Sequence, residues 1–163
     1  NDEIYSANIK INGELRKFSH TNLEMVGYEI MAMVFKNAEP NYVQLQNGFW
    51  LSVEELNSKN LKLTSWMQYL IEKDTEWYAN EPGLNLRTGP STNFEITATL
   101  NGDLWGISPT NETNGDWCKV TVIHYREHPC SGGDNLVIET LTGWIKLISD
   151  EQTPNVWNYG KGC

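Results

Sequence analysis

The chain has 163 residues, which is enough for one medium domain or two small ones. Its 21 acidic and 12 basic residues give a formal net charge of −9. That charge argues against a nucleic-acid-binding protein and against attraction to an anionic membrane surface. Hydrophobic residues make up 39% of the chain, and no apolar run approaches the roughly 20 residues that a membrane span requires. We therefore expect a soluble globular protein.

Two Asn-Gly pairs predict two β-hairpins in the first half of the chain. The pair at positions 12–13 separates YSANIKI from ELRKF, and the pair at positions 47–48 separates YVQLQ from FWLSV. The stretch between them, TNLEMVGYEIMAMVF, is ambiguous: it begins like a helix capped by Thr21 or Asn22 and ends like a buried strand. In TSWMQYLIEK (64–73), apolar residues at helical spacing predict a short connecting helix.

The second half is typical of an all-β structure. Short alternating segments are found in GLNLR, ITATL, LWGIS, WCKVTVI and NLVIETLTGWIKLI, and the polar segment TNETNGD predicts a turn before the fourth of them. Turn signals about every 8–12 residues indicate a small barrel or sandwich.

Strand alternation predicts which side chains of WCKVTVI face the core. Because successive residues of a strand point to opposite faces, a core position for Val120 and Val122 places Cys118 in the core as well. Trp117 and Lys119 then point the other way. Burying a Val or Ile side chain is worth about 1.5–3 kcal/mol, so a register slip that exposes this set is disfavoured.

The segments GLNLRTGPSTNFEITATLNGD, WCKVTV and TGWIKL together resemble the bacterial SH3 (SH3b) family over about residues 77–149. That family has an L-N-(V/L)-R-x-G-P-S segment, a W-x-K-V strand and a closing G-W-(V/I), and all three occur here in that order. In eukaryotic SH3 domains a tryptophan at a similar place lines the ligand groove, so the resemblance implies that Trp117 contacts the ligand. By strand alternation Trp144 points outward and Ile145 inward. Residues 1–60 show a weaker similarity to SH3-like domains, because GFWLS resembles the G-W-V-S segment near the end of an SH3b unit.

The predicted fold class is all-β, with small SH3-like barrels in tandem and a short connecting helix. Residues 1–63 form either a degenerate SH3-like domain or an unrelated α+β subdomain. Residues 64–76 form the connecting helix, and residues 77–163 form an SH3b barrel with a long loop and a C-terminal tail.

The resemblance implies a non-catalytic binding module of the bacterial cell envelope, which recognises a peptidoglycan stem peptide or another extended peptide. The alternative is a protein–protein scaffold without a small ligand. The expected ligand site consists of Trp117, Trp105, Trp144, Arg87 and Asn93. We expect no cofactor, no nucleic-acid partner and no membrane span. We also expect export to the periplasm or cell surface after removal of a leader. The acidic net charge favours ligands with exposed amines.

Three cysteines leave the disulfide pattern open. We expect a bridge between Cys130 in the long loop and Cys163 in the tail, which would close about 33 residues and contribute roughly 3–4 kcal/mol by chain entropy. The alternatives are a Cys118–Cys130 bridge or no bridge at all.

Catalytic and metal-binding patterns are weak. Cys130-Ser131-Gly132 resembles the nucleophile segment of NlpC/P60 peptidases, but all three histidines (His20, His124, His128) precede it. His124 and His128 have a zinc-like i, i+4 spacing in a segment too short and too close to a proline for a firm helix. We therefore predict neither an enzyme nor a metal site.

Overall fold

A computed structural model describes most of the chain, and the description covers residues 7–11, 14–18, 23–27, 30–73, 75–80, 82–134 and 136–157. The chain divides into two compact units, Asn1–Thr64 and Ser65–Cys163. Among the described residues, no helix is both long enough and apolar enough to cross a membrane.

The described part of the first unit consists of short antiparallel strands and one helix. Two sheets have two strands each, and a third has the order β5–β6–β7. The elements are β1 (Ala7–Ile11), β2 (Glu14–Phe18), β3 (Leu23–Gly27), β4 (Ile30–Met33), β5 (Phe35–Glu39), β6 (Tyr42–Leu45), β7 (Trp50–Ser52) and α1 (Val53–Ser58).

Both predicted hairpins of the first unit are confirmed. Strands β1 and β2 pair so that Ile11 lies opposite Glu14, and the Asn-Gly turn between them lies outside the described residues. Strands β6 and β7 pair around a longer turn, in which the amide of Gly48 donates to the carbonyl of Leu45 at 2.9 Å. Gly48 has a φ of 87°, a conformation that favours glycine over residues with a Cβ.

The ambiguous stretch between the hairpins forms two paired strands, β3 and β4. The strand interpretation of its end is therefore confirmed, and the helical interpretation is wrong for the described residues. The proposed capping residues Thr21 and Asn22 lie outside the described residues. Gly27, in the middle of the stretch, disfavours a helix interior because glycine loses the most backbone entropy there.

Helix α1 was not predicted from the sequence. Its N-cap is Ser52, whose side chain accepts a hydrogen bond from the amide of Glu55. The sequence Ser52-Val53-Glu54-Glu55 contains this capping signal. The helix contributes Leu56 to a small core with Val43, Leu45 and Leu51.

The second unit is built on a five-stranded antiparallel sheet with the order β10–β9–β13–β12–β11. A further two-stranded sheet joins β14 to β8. The elements are α2 (Trp66–Glu72), β8 (Tyr78–Ala79), β9 (Leu84–Arg87), β10 (Ile96–Leu100), β11 (Trp105–Asn114), β12 (Trp117–Tyr125), β13 (Val137–Lys146) and β14 (Val156–Trp157).

The predicted all-β class is confirmed, and α2 confirms the predicted short helix. Its N-cap is Ser65, whose hydroxyl accepts from the amide of Gln68. The arrangement as tandem barrels stays a prediction. The polar segment TNETNGD is only partly a turn, because β11 continues to Asn114 after a register shift between Pro109 and Thr113.

The predicted strand alternation in the second unit is confirmed. Cys118, Val120, Val122 and Ile145 are fully buried in one core. Trp117 and Trp144 are only half-buried, as expected for side chains that point to the other face of the sheet. Trp77 is also fully buried, and its indole N–H has no hydrogen-bond partner among the described residues.

Candidate ligand-binding face

A row of outward side chains crosses four strands of the five-stranded sheet. Lys119 on β12 lies directly opposite Trp144 on β13. Trp144 in turn lies opposite Arg87 on β9, and Arg87 lies opposite Ile96 on β10. Residues opposite each other in antiparallel strands share a face, with Cβ atoms about 4.5–5.5 Å apart. An indole is therefore flanked by a cation on each side.

A second pair extends this row along the same face. Trp117 lies directly opposite Lys146 and is two residues from Lys119, so all three point outward. We call the set Arg87, Trp117, Lys119, Trp144 and Lys146 the cation–indole face. The sequence predicted Arg87, Trp117 and Trp144 as ligand-contacting residues but not the two lysines.

The two lysines of the cation–indole face form ion pairs that water can reach. The ammonium of Lys119 lies 2.8 Å from a carboxylate oxygen of Glu112, and the side chain of Glu112 is 58% exposed. Lys146 pairs with Asp150, whose side chain is 88% exposed. Exposed pairs of this kind contribute about 0–1 kcal/mol. A carboxylate on a ligand can therefore compete with these partners.

Arg87 both belongs to this face and fixes the loop that follows it. Its Nη1 group donates to the carbonyl of Thr92 at 3.0 Å and to that of Phe94 at 2.8 Å. The predicted site residue Asn93 lies between these two carbonyls; it is exposed, and its amide donates to the hydroxyl of Ser91. The structure thus brings Asn93 close to Arg87 through a fixed turn.

The Gly-Pro-Ser part of the motif has a packing role in the same loop. Gly89 is buried under the ring of Phe94, where an added Cβ would lie 2.6 Å from the ring carbons. Gly143 plays a similar part in the closing motif, because a Cβ there would lie 2.7 Å from the carbonyl oxygen of Arg87. These glycines permit the close approaches that set the position of Arg87 and Trp144.

The fifth predicted site residue, Trp105, does not join the other four. It lies opposite His124, on the face that carries Val120 and Val122, and packs against the core. Its ring stacks on the imidazole of His124 with centroids 3.7 Å apart and planes 9° apart. His124 also contacts the carboxylate of Glu139 at 3.3 Å. The indole of Trp105 is thus engaged within the protein.

The second unit contains a carboxylate–phenol cluster that the sequence analysis did not predict. The hydroxyls of Tyr78 and Tyr125 donate to the two carboxylate oxygens of Glu76, at 3.3 and 3.4 Å. Burial and the charge of Glu76 raise the pKa of both tyrosines above the ordinary value. Glu76 lies over Gly106, where a Cβ would collide with its carboxylate. No sequence signal links positions 76 and 125.

The structure separates the two histidines that have zinc-like spacing. His124 lies within β12, whereas His128 follows in the loop and accepts a hydrogen bond from the amide of Cys130. In the part of the chain that the structure describes, no three His, Cys, Asp or Glu residues are grouped to hold a metal.

Cys118 is a free, buried thiol, which rules out the alternative Cys118–Cys130 bridge. Burial raises the pKa of this thiol to about 11. Cys163 lies outside the described residues, and no disulfide bond joins two described cysteines. The Cys130–Cys163 bridge therefore stays a prediction.

Comparison with known proteins found no matching family model, no similar curated protein and no similar solved structure. The resemblance to the SH3b family therefore rests on the sequence motifs quoted above.

Proposed function

We propose that the second unit is a non-catalytic binding module of the bacterial cell envelope. Its ligand is the stem peptide of peptidoglycan or another extended peptide, and it acts after export to the periplasm or cell surface. The observation that carries the proposal is the cation–indole face, in which two half-buried indoles alternate with cations on the outer side of the five-stranded sheet.

The physical chemistry of the face suits an extended chain. Indole rings supply a large contact area and lose little conformational entropy on binding, because they have only two rotatable side-chain bonds. The row from Ile96 through Arg87 and Trp144 to Lys119 crosses four adjacent strands at about 4.8 Å each. A peptide of a few residues could contact the whole row. The cell-wall assignment comes from the SH3b resemblance alone.

The second candidate function is a protein–protein scaffold without a small ligand. Strand β10 is at one edge of the five-stranded sheet, next to the exposed Phe94 and with Ile96 47% exposed. An edge of this kind can accept a strand from a partner protein. This candidate predicts binding along β10 that does not depend on Trp117.

Sedimentation with purified peptidoglycan tests the proposal. We expect the protein to be retained by the insoluble wall, and Trp117→Ala and Trp144→Ala to reduce retention about tenfold, because buried aromatic contacts dominate small interfaces. Trp50→Ala is the matched control: Trp50 is an outward, 46% exposed indole on β7 of the first unit. Circular dichroism of each variant verifies its fold.

Three results separate the candidates. Retention that is lost in Trp117→Ala and kept in Trp50→Ala supports the cation–indole face. Retention that is equal in all variants places the wall contact elsewhere. Absence of retention in the unmodified protein contradicts cell-wall binding and favours the scaffold.

A further inference from the structure

The local charge of the cation–indole face is opposite to that of the whole protein. The chain carries a net charge of −9, and this led us to expect ligands with exposed amines. The face itself presents Arg87, Lys119 and Lys146 around its two indoles. At the short range of direct contact, neighbouring charges determine ligand preference, because charges beyond about 10 Å are screened at ordinary ionic strength. When the carboxylates of Glu112 and Asp150 are counted with the three cations, the face keeps one excess positive charge and therefore favours an anionic ligand.

Arg87 has donors left to bind such a ligand. Only Nη1 is engaged, by the two loop carbonyls, so among the described residues neither Nε nor Nη2 donates a hydrogen bond. The guanidinium group presents its donors in a fixed fork that matches the two oxygens of a carboxylate. Because the two loop carbonyls already fix the side chain, little rotamer entropy remains to be lost on binding.

Lys119 stands on the other side of Trp144 and already binds a carboxylate. Its partner Glu112 is on the neighbouring strand β11 and is 58% exposed. The pair shows that this position accommodates a carboxylate at 2.8 Å from the ammonium. A ligand carboxylate that displaces Glu112 would replace one such contact by another.

We propose that the cation–indole face recognises the terminal carboxylate of an extended peptide, held between Arg87 and Lys119 above the ring of Trp144. This inference rests on the proposed function, because it names the part of the peptide ligand that the face binds. The indoles contact the apolar part of the same peptide. Glu112 is then an internal competitor, which occupies Lys119 in the absence of ligand.

The test compares two forms of one probe. Soluble muropeptides with free terminal carboxylates and the same muropeptides with those carboxylates amidated are titrated into the full chain by calorimetry. We expect the free acid to bind about tenfold more tightly, since a hydrogen bond to a charged group is worth roughly one order of magnitude in affinity. Lys119→Gln should reduce that acid-to-amide ratio toward one.

Two further variants sharpen the test. Glu112→Gln removes the internal competitor, so we expect it to raise affinity for the free acid and to leave affinity for the amide unchanged. Lys59→Gln is the matched control, because Lys59 forms a similar ion pair with Glu55 on α1 of the first unit. Arg87→Gln would also release the loop at 92–94, so for that variant the acid-to-amide ratio, and not the absolute affinity, is the readout.

The outcomes separate this inference from the proposed function. Equal binding of acid and amide overturns the carboxylate inference and leaves peptide binding intact. Tighter binding of the amide also overturns it, because the face would then disfavour a ligand carboxylate. Absence of binding by both forms overturns both proposals.

Discussion

In both the three-stranded sheet of the first unit and the five-stranded sheet of the second, inward and outward side chains alternate along the strands. The two sheets differ in the size of the core that packs against them. In the first, β6 and β7 bury four residues together with α1. In the second, the strands, α2 and the residues next to β8 and β13 bury thirteen described residues in one cluster. The difference indicates that the described core of the second unit is the more resistant to local opening, because buried apolar area is the main stabilising term.

The outer faces of the two sheets differ in charge. Both carry an outward tryptophan in a row of paired residues. In the first sheet, Trp50 lies opposite Gln44, which accepts a hydrogen bond from Asn37 at 2.8 Å. In the second, Trp144 lies between Lys119 and Arg87. An exposed indole is common to both, so the flanking cations are what distinguish the proposed ligand face.

The largest expected effect comes from matched core truncations in the two sheets. Leu86→Ala removes a fully buried side chain from the larger cluster, and Leu45→Ala removes an equally buried one from the smaller. We expect losses of about 4 and about 2 kcal/mol respectively, because the cost of a cavity rises when its surroundings cannot collapse into it. Native-state hydrogen exchange of the amides in β12 and β6 measures the two losses separately.

The same exchange data contain the control for this comparison. Each substitution should lower protection mainly in its own sheet, while amides of the other sheet keep theirs. Equal losses of stability at the two positions would contradict the inference that the larger cluster stabilises its sheet more than the smaller one does.

The next effect tests the close contact between β13 and β9. Gly143→Ala places a Cβ 2.7 Å from the carbonyl oxygen of Arg87, which is backbone and cannot easily move. We expect a loss of about 1–3 kcal/mol, as for other overpacked sites, together with displacement of Trp144. Gly133→Ala is the control, because its nearest neighbour is the end of a flexible Leu136 side chain at 3.1 Å. Thermal unfolding of both variants measures the difference.

Features of the fold that depend on residues close together in the sequence could be predicted, and features that depend on distant residues could not. The pairing of β1 with β2, the strand alternation around Val120 and a short helix within 64–73 are set by neighbours in sequence, and these three predictions are confirmed. Helix α1 was not predicted, because a six-residue helix shows little hydrophobic periodicity. Its capping residue Ser52 was the one available sequence signal. Periodicity alone could not assign the stretch around Gly27, because a short apolar run is compatible with a helix or a strand; the glycine itself argues against the helix.

For the candidate site, the direction of each side chain could be predicted, but the strand order that brings the side chains together could not. Alternation places Trp117 and Trp144 outward, and it would have placed Lys146 there by the same rule. The row from Lys119 to Arg87 could not be predicted, because it depends on β13 lying between β12 and β9. The position of Trp105 away from the other predicted site residues could not be predicted for a related reason, because its stacking on His124 depends on the register of β11 against β12.

A smaller effect concerns pH and the thiol in the larger core. Burial raises the pKa of Cys118 from 9.0 to about 11, so the folded state holds this proton more tightly than the unfolded state. The resulting stabilisation is complete below pH 9 and is lost as pH rises toward about 11. We expect the free energy of unfolding to fall over this range, and less steeply in Cys118→Ala. The pKa values of Tyr78 and Tyr125 are also raised, so these tyrosines likewise lower the free energy of unfolding as pH rises. They do so in the unmodified protein and in Cys118→Ala alike.

Urea unfolding at several pH values measures this slope. At neutral pH the folded protein should also react slowly with a thiol reagent at Cys118, because the thiolate is the reactive form. A Cys118→Ala variant whose stability has the same pH dependence as the unmodified protein would contradict the role of the buried thiol.

The smallest expected effect is the loss of an exposed ion pair in each unit. Lys119→Gln removes the pair with Glu112, and Lys59→Gln removes the pair with Glu55. We expect each to cost less than about 1 kcal/mol, because water screens such pairs and ordering their side chains costs entropy. If urea unfolding shows a much larger loss for Lys119→Gln, that lysine stabilises the sheet itself. If both losses are small and equal, any change in ligand affinity of Lys119→Gln reports on the cation–indole face and not on its fold.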